Sequence, residues 1–436
     1  MNVRKEAYKI IYKVLNKNLF SDKLIKQVKK KLSREEEKML YVLVKGVIKM
    51  SRNLDYIIRQ YAGENKYHQT NLKIRVLLYM GLYEIKCCDS IPEHASVNET
   101  VDLAKELYGE NIANFVNAIL RAYLRAPDVS FPEDPIERIA LEHSFPTELV
   151  KIWIDYWGIE NTELLCMYFN DTPRLSIRVN NIATSKKKLM NYFSRRDIKL
   201  KESPACKDIL TSQQAFEVLN DVAMSEGYYS VQDCAAALVV VLLDPHPDQS
   251  VLDLFAAPGG KATYIAECMK NTGEVIAVDK IPNKVKQMKQ AMERLQLINM
   301  RLITEDAFNY GPQAPAFDRV LLDVPCSNWG VLQKKAELRW QTNQDMGSIL
   351  KLQENALKTG AAFVKPGGYL VYSTCTMNRA ENEEQVENFL EKHKDFVLAD
   401  AAQWIPKKYL DNNYLKIIPY IHNMDGSFAA KMKKKI

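Results

Sequence analysis

Two cysteines close two apolar runs. Cys326 ends "FDRVLLDVPCS" (Phe317 to Ser327), and Cys375 ends "GGYLVYSTCT" (Gly367 to Thr376). Both runs are short and β-rich, so each thiol is expected just past the carboxyl end of a strand, the edge at which open parallel sheets bind ligands. "VLDLFAAPGGKATYIAE" adds a third element to that edge: an apolar strand, a turn of small residues, then a helix. Ala256, Ala257, Pro258, Gly259 and Gly260 leave room for a ligand against the backbone, and the helix points its N-terminus at the turn. Tight packing alone would also account for such a turn. Asp279, at the tip of "VIAVD", is positioned to accept hydrogen bonds from both hydroxyls of a ribose. Asp306, after the next strand-like run, is placed to hold an adenine amine. The turn is not GxGxxG and has no Walker lysine context, which favours a nucleoside cofactor without pyrophosphate, S-adenosylmethionine, over NAD. Lys261 either reaches the cofactor carboxylate or the substrate backbone, or is a solvated first-turn lysine. Gln232 and Asp233 either add cofactor contacts or cap a helix.

Two thiols beside a methyl donor point to an acceptor that needs them. Carbon 5 of cytosine is such an acceptor, because it is not nucleophilic in the aromatic base. A thiolate added to carbon 6 makes carbon 5 enamine-like and able to attack a methyl sulfonium. An unperturbed thiol, with a pKa of about 8.5, is only about 3% ionised at pH 7. A cationic cofactor and Lys261 would raise that fraction. Asp323, in protonated form, would stabilise the adduct by hydrogen bonding to ring nitrogen 3. The proton on carbon 5 must then leave and the carbon–sulfur bond must break, and a second thiol suits that step as base or as an aid to elimination.

These residues need a sheet to hold them. "SVLDLF", "GEVIAVD", "RLIT", "FDRVLLD" and "GGYLVYST" are strand-like runs separated by helical stretches such as "NKVKQMKQAMERLQL", the pattern of a parallel, doubly wound α/β sheet. Upstream, "EAYKIIYKVL", "EEEKMLYVLVKGVIKM" and "NLKIRVLLYMGLYEI" repeat apolar residues at helical spacing, and Ser33 with Glu36 forms a capping-box pair. Pro92 and Gly109 bracket a further helix, and "APDVSFPEDP" reads as a linker. The expected division is an all-α part over 1–126, a linker and small α+β RNA-binding module over 127–226, and the α/β domain over 227–436.

Composition bounds the rest. The chain has 436 residues, 47% hydrophobic and 26% charged, as in ordinary globular proteins. Its longest apolar run, "AAALVVVLL", is far below the roughly 20 residues of a membrane span and reads as a core helix. No CxxC pair or zinc-like histidine spacing occurs, so no metal is expected. The net charge of +6 is uneven: residues 1–60 hold 16 Lys/Arg against 6 Asp/Glu. That basic end either meets a polyanion, most simply nucleic acid, or is a solvated helix face. The tail "KMKKKI" extends the basic character or is frayed. A cytoplasmic, monomeric protein with no membrane association is expected.

The set "AAPGGK", "VIAVD", "DVPCS", "KPGGYLVYSTCT" followed by "ENEEQVENFL", and "DGSFAAKM" resembles the RNA cytosine-C5 methyltransferases of the Nop2/Sun class. "IPEHASVNETVDLAKELYGENIANFVNAILRAYLR" resembles the NusB-like helical RNA-binding domain of the Sun (Fmu, RsmB) branch. The resemblance implies a Rossmann-like S-adenosylmethionine-dependent domain behind a NusB-like one, methylating one cytosine in 16S ribosomal RNA or a small-subunit assembly intermediate. It implies Cys375 as nucleophile and Cys326 as the cysteine of product release. It also implies that Arg121, the lysines of residues 1–60 and Lys261 contact RNA. Trp329 in "SNWGV" would wall the cytosine pocket, stack on a neighbouring base, or sit in the core. A tRNA or other RNA substrate, and a non-catalytic assembly factor, are the alternative readings.

Overall fold

The computed structural model describes residues 2–17, 19–311, 317–341 and 345–436. The chain forms two compact units, Met1–Asp171 with Leu332–Asn343, and Thr172–Val331 with Gln344–Ile436.

The first unit is helical, as the apolar spacing predicts. Its main helices are Val3–Lys17, Arg34–Ala62, Leu72–Cys87, Glu93–Tyr108, Glu110–Arg125 and Thr147–Asn170. They bury one continuous core that includes Ile11, Leu43, Val47, Ile57, Leu78 and Val116. Ser33 and Glu36 form the capping box at the start of Arg34–Ala62, each side chain accepting from the other's backbone N–H. Gly109, with φ +83°, turns the chain between two helices in a conformation that other residues adopt at a cost. Residues 332–341 pack within this unit. Glu337, buried, accepts from the Ser21 backbone N–H at 2.7 Å. Arg339, buried, donates to Phe169 O at 2.9 Å and Asn170 Oδ1 at 2.8 Å.

In the second unit a small antiparallel sheet comes first: β1 (Leu175–Val179), β2 (Lys201–Glu202), β3 (Ile209–Ser212) and β4 (Tyr229–Val231), in the order β2-β3-β1-β4. Leu189 and Phe193 of the helix Lys186–Ser194 pack on Ile177, Val179 and Tyr229.

The larger sheet follows, with β5 (Ser250–Asp253), β6 (Glu274–Asp279), β7 (Met300–Thr304), β8 (Phe317–Asp323), β9 (Val364–Thr374), β10 (Phe396–Leu398), β11 (Leu410–Asp411), β12 (Tyr414–Ile417) and β13 (Ser427–Lys434). The order is β11-β12-β13-β9-β8-β5-β6-β7, with β10 on β13. Strands β5 to β9 are mutually parallel and wind outward from β5 in both directions, so the carboxyl ends of β5 and β8 meet at the topological switch point. The sequence predicts a parallel, doubly wound sheet, and β5 to β9 form it. In the structure β13 runs antiparallel to β9, and β12 and β10 run antiparallel to β13. The basic tail is correspondingly not frayed: β13 extends to Lys434, and Lys431, fully buried, places its ammonium 3.3 Å from the Trp404 ring centroid. "AAALVVVLL" forms the buried helix Cys234–Leu243. No helix among the described residues is long and apolar enough to cross a membrane.

Candidate active site

Every strand that ends at the switch point delivers a polar group to it. After β5 the chain turns through Ala256–Gly259 into the helix Gly260–Cys268, and Gly259 N donates to Ala256 O at 2.8 Å. Gly259 has φ +100°, and a Cβ there would lie 2.6 Å from the Met288 side chain, so conformation and space both require glycine. Asp279, at the end of β6, accepts from Ala257 N at 3.3 Å and Ile281 N at 2.9 Å, which fixes its carboxylate against the turn. Asp306 lies beyond the adjacent β7. One of its oxygens accepts from Phe308 N at 3.1 Å, and the other is 3.7 Å from Lys280 Nζ.

Sequence reasoning passed over Asp253, the last residue of β5. It is fully buried, and its carboxylate has no side-chain hydrogen bond. Burial, then the neighbouring Asp323 carboxylate, push its pKa up to about 8, against the pull of Lys261. The only local signal was an acid inside an otherwise apolar run.

Lys261 Nζ donates to Asp323 Oδ2 at 2.7 Å, and Ser373 Oγ donates to Asp323 Oδ1 at 2.9 Å. Burial pulls Lys261 down, but the charges of Asp323, Cys375 and Asp253 outweigh it and hold the ammonium above its ordinary value. Lys261 is therefore neither a solvated surface lysine nor far from the thiols. Both Asp323 oxygens are engaged here, one by Lys261 and the other by Ser373.

The two cysteines are brought together because β8 and β9 pair in register, Asp323 opposite Ser373. The chain then leaves both strands on the same side, and Cys326 Sγ lies 3.4 Å from Cys375 Sγ. Cys326 is buried and Cys375 half-buried, and all 8 cysteines are free thiols. A hydrogen bond with Cys375, then burial, then the charges of Cys375 and Glu381, push the Cys326 thiol well above its ordinary pKa. Glu381, also unnoticed in the sequence, ties the two loops together. Its buried carboxylate accepts from Ser327 N at 2.9 Å, Ser327 Oγ at 2.5 Å, Gln353 Nε2 at 3.0 Å and Asn378 Nδ2 at 3.1 Å. Gly330 N donates to Cys375 O at 2.9 Å, and a Cβ at Gly330 would come within 2.2 Å of Gly426 O. Trp329, just before it, is half-buried.

Behind the turn stands Arg178 of β1, fully buried. It donates to both oxygens of Glu267 at 2.7 and 3.0 Å, to Gly260 O at 2.8 Å, and to Gln232 Oε1. Arg178 thus occupies Gln232 Oε1, while Gln232 Nε2 is buried without a hydrogen-bond partner among the described residues. Asp233 caps the helix Cys234–Leu243 by accepting from Ala235 N at 2.9 Å. Arg121 belongs to the first unit, where it is exposed and donates to Asn117 Oδ1 at 2.8 Å.

Comparison with known proteins finds relatives over the whole length of the chain. Residues 240–433 match the family described as 16S rRNA methyltransferase RsmB/F, residues 1–125 match the NusB family, and residues 145–219 match the ferredoxin-like domain of RsmF/B-like methyltransferases. The crystal structure of PH0851 is similar in fold, with a TM-score of 0.83 at 24% identity over 98% of both chains. A methyltransferase homologue from Pyrococcus horikoshii gives a TM-score of 0.60 at 25% identity, over 70% of this chain and 100% of that one. Probable ribosomal RNA small subunit methyltransferase B of Bacillus subtilis is 34% identical over 100% of this chain and 99% of its own length. The protein of the same name from Synechocystis is 33% identical over 100% of both. With such relatives along its full length, and with a Rossmann-like domain together with a NusB-like one, the chain belongs to the ribosomal RNA small subunit methyltransferase B family, the Sun/Fmu (RsmB) branch.

Proposed function

We propose that the protein transfers a methyl group from S-adenosylmethionine to carbon 5 of a cytosine in 16S ribosomal RNA, through a covalent bond between Cys375 and carbon 6 of the base. The observation that carries this reading is the 3.4 Å pair of thiols beside the Lys261–Asp323 pair at the sheet's switch point.

The residues present suit the cofactor. Asp279 offers a fixed carboxylate for ribose hydroxyls, the Ala256–Gly260 turn leaves its backbone open to approach, and Asp253 is a buried acid without a side-chain partner. Asp306 is the candidate for the adenine amine. Bound there, S-adenosylmethionine supplies an electrophilic methyl group to carbon 5.

The chain's own groups perform the other steps. Cys375 gives up its thiol proton to water, its sulfur adds to carbon 6, and the displaced electron pair moves toward ring nitrogen 3. Lys261, hydrogen-bonded to Asp323, is the proton source that lets Asp323 protonate that nitrogen. The target base must leave its stack to reach the pair, as in other enzymes that act on a base. After methylation the carbon 5 proton passes to water, the carbon–sulfur bond electrons return to Cys375, and nitrogen 3 gives its proton back to the Asp323–Lys261 pair. Cys326, kept as a thiol by its contact with Cys375 and by burial, donates a hydrogen bond to the departing sulfur. Of the two roles open to the second cysteine, this favours aiding elimination over acting as base.

Bisulfite mapping of RNA from cells lacking the protein tests the substrate. Loss of 5-methylcytosine confined to 16S rRNA is expected; loss from tRNA instead, or none, overturns the assignment. The cofactor assignment has its own check. Asp279→Ala should weaken S-adenosylhomocysteine binding by about tenfold or more in calorimetry, because a charge-assisted hydrogen-bond pair is lost. An unchanged affinity would place the ribose elsewhere.

A further inference from the structure

Asn328, two residues past Cys326, has no part in the chemistry above, yet it touches both cysteine segments. Its backbone is left-handed, φ +62°, a conformation asparagine tolerates better than most residues. Its Nδ2 donates to the Cys326 carbonyl oxygen at 2.6 Å. That oxygen can only accept, so the amide orientation is fixed by chemistry and Oδ1 must face the other way. Oδ1 lies 3.2 Å from Cys375 Sγ. An amide oxygen cannot donate either, so the proton between them belongs to Cys375, which is held here as a thiol. With that proton committed to Asn328, the 3.4 Å contact between the sulfurs has Cys326 as donor. The result is a directed chain from Cys326 S–H to Cys375 sulfur, and from Cys375 S–H to the Asn328 carbonyl.

We propose that Asn328 is a latch that keeps Cys375 protonated until RNA enters the site. The inference rests on the reading of Cys375 as nucleophile. A thiolate at this position would face the Asn328 carbonyl dipole end-on, an unfavourable contact in a half-buried site. Turning the amide over would present Nδ2 to the thiolate, but would then oppose two carbonyl oxygens at Cys326. Release therefore requires the Asn328 segment to move. The latch withholds the reactive sulfur from adventitious electrophiles while no substrate is present. Titratable groups around the pair include Lys261, which lies close enough to Cys375 to feel its charge and is itself bonded to Asp323, and Glu381 and the buried Tyr372 beside Cys326.

The test is the pH profile of Cys375 alkylation by iodoacetamide, read by mass spectrometry of the Cys375 peptide in the full-length protein. Glycine accepts φ +62° without strain. Asn328→Gly should therefore shift the midpoint to lower pH and raise the rate at pH 7 by about three- to tenfold, the weight of one hydrogen bond. Asn328→Asp, which keeps an acceptor at Cys375 and adds negative charge, should shift the midpoint the other way. A purely structural role would change rates without moving the midpoint in opposite directions. Identical midpoints in all three proteins would overturn the latch. Methyl transfer by Cys375→Ser, assayed in parallel, separates the two readings: activity there defeats the nucleophile assignment, whereas an unmoved midpoint with Cys375→Ser inactive defeats the latch alone.

Discussion

Replacing Cys326 by alanine should leave the protein covalently joined to its RNA, whereas replacing Cys375 should abolish both the adduct and methyl transfer. The two side chains lie 3.4 Å apart, but they are not equivalent. Cys375 is half-buried, beside the Lys261 ammonium, and can reach an incoming base. Cys326 is buried, rests on the Glu381 network and stays a thiol. Without Cys326 the addition and methylation can still occur, but the departing sulfur loses its hydrogen-bond donor and turnover stops after about one cycle. Without Cys375 there is no addition to carbon 6. Carbon 5 then stays unreactive, and the rate should fall by at least about a thousandfold. Denaturing gels of each variant incubated with 16S RNA read the adduct directly. An adduct in Cys375→Ala, or its absence in Cys326→Ala with turnover intact, would reverse or remove the assigned roles.

The second large effect concerns stability. Arg178→Leu should cost about 3–5 kcal/mol, since it leaves the buried Glu267 carboxylate without its partner. Burial already pushes the Glu267 carboxyl upward, and the Arg178 charge counters that. The guanidinium also packs over the Tyr264 ring at 4.8 Å and holds Gly260 O, so its loss should loosen the helix that carries the cofactor turn. Denaturant unfolding should register the loss, and the double variant Arg178→Leu/Glu267→Leu should recover part of it. A single variant as stable as the parent would mean that Glu267 finds another partner or sheds its charge at little cost.

The sequence was most legible where function depends on local chain geometry. The turn after β5 is readable because small residues, a preceding apolar run and a following helix are all neighbours in sequence. The thiols are readable because strand ends are, and the first unit's helices follow from apolar spacing and the Ser33–Glu36 pair. Contacts between distant segments were not legible. Arg178 meets Glu267 across 89 residues and Ser327 meets Glu381 across 54, so neither pair has a local signature. Asp253 hides in an apolar strand, and Asn328 reads as an ordinary loop residue until its left-handed backbone places its amide between the two cysteine segments. The antiparallel β13 was missed for a related reason. Its charged residues suggest a solvated tail, and only pairing with β9 and the Trp404 ring makes Lys431 acceptable in the interior.

The most direct measurement is the identity of the side chain bonded to the base. RNA carrying 5-fluorocytosine at the target stops the reaction after methylation, because fluorine cannot leave carbon 5 as a cation. Mass spectrometry of the digested complex should find the methylated fluorocytidine nucleotide on the Cys375 peptide. A nucleotide on the Cys326 peptide, or on neither thiol while natural RNA is methylated normally, would contradict attack by Cys375.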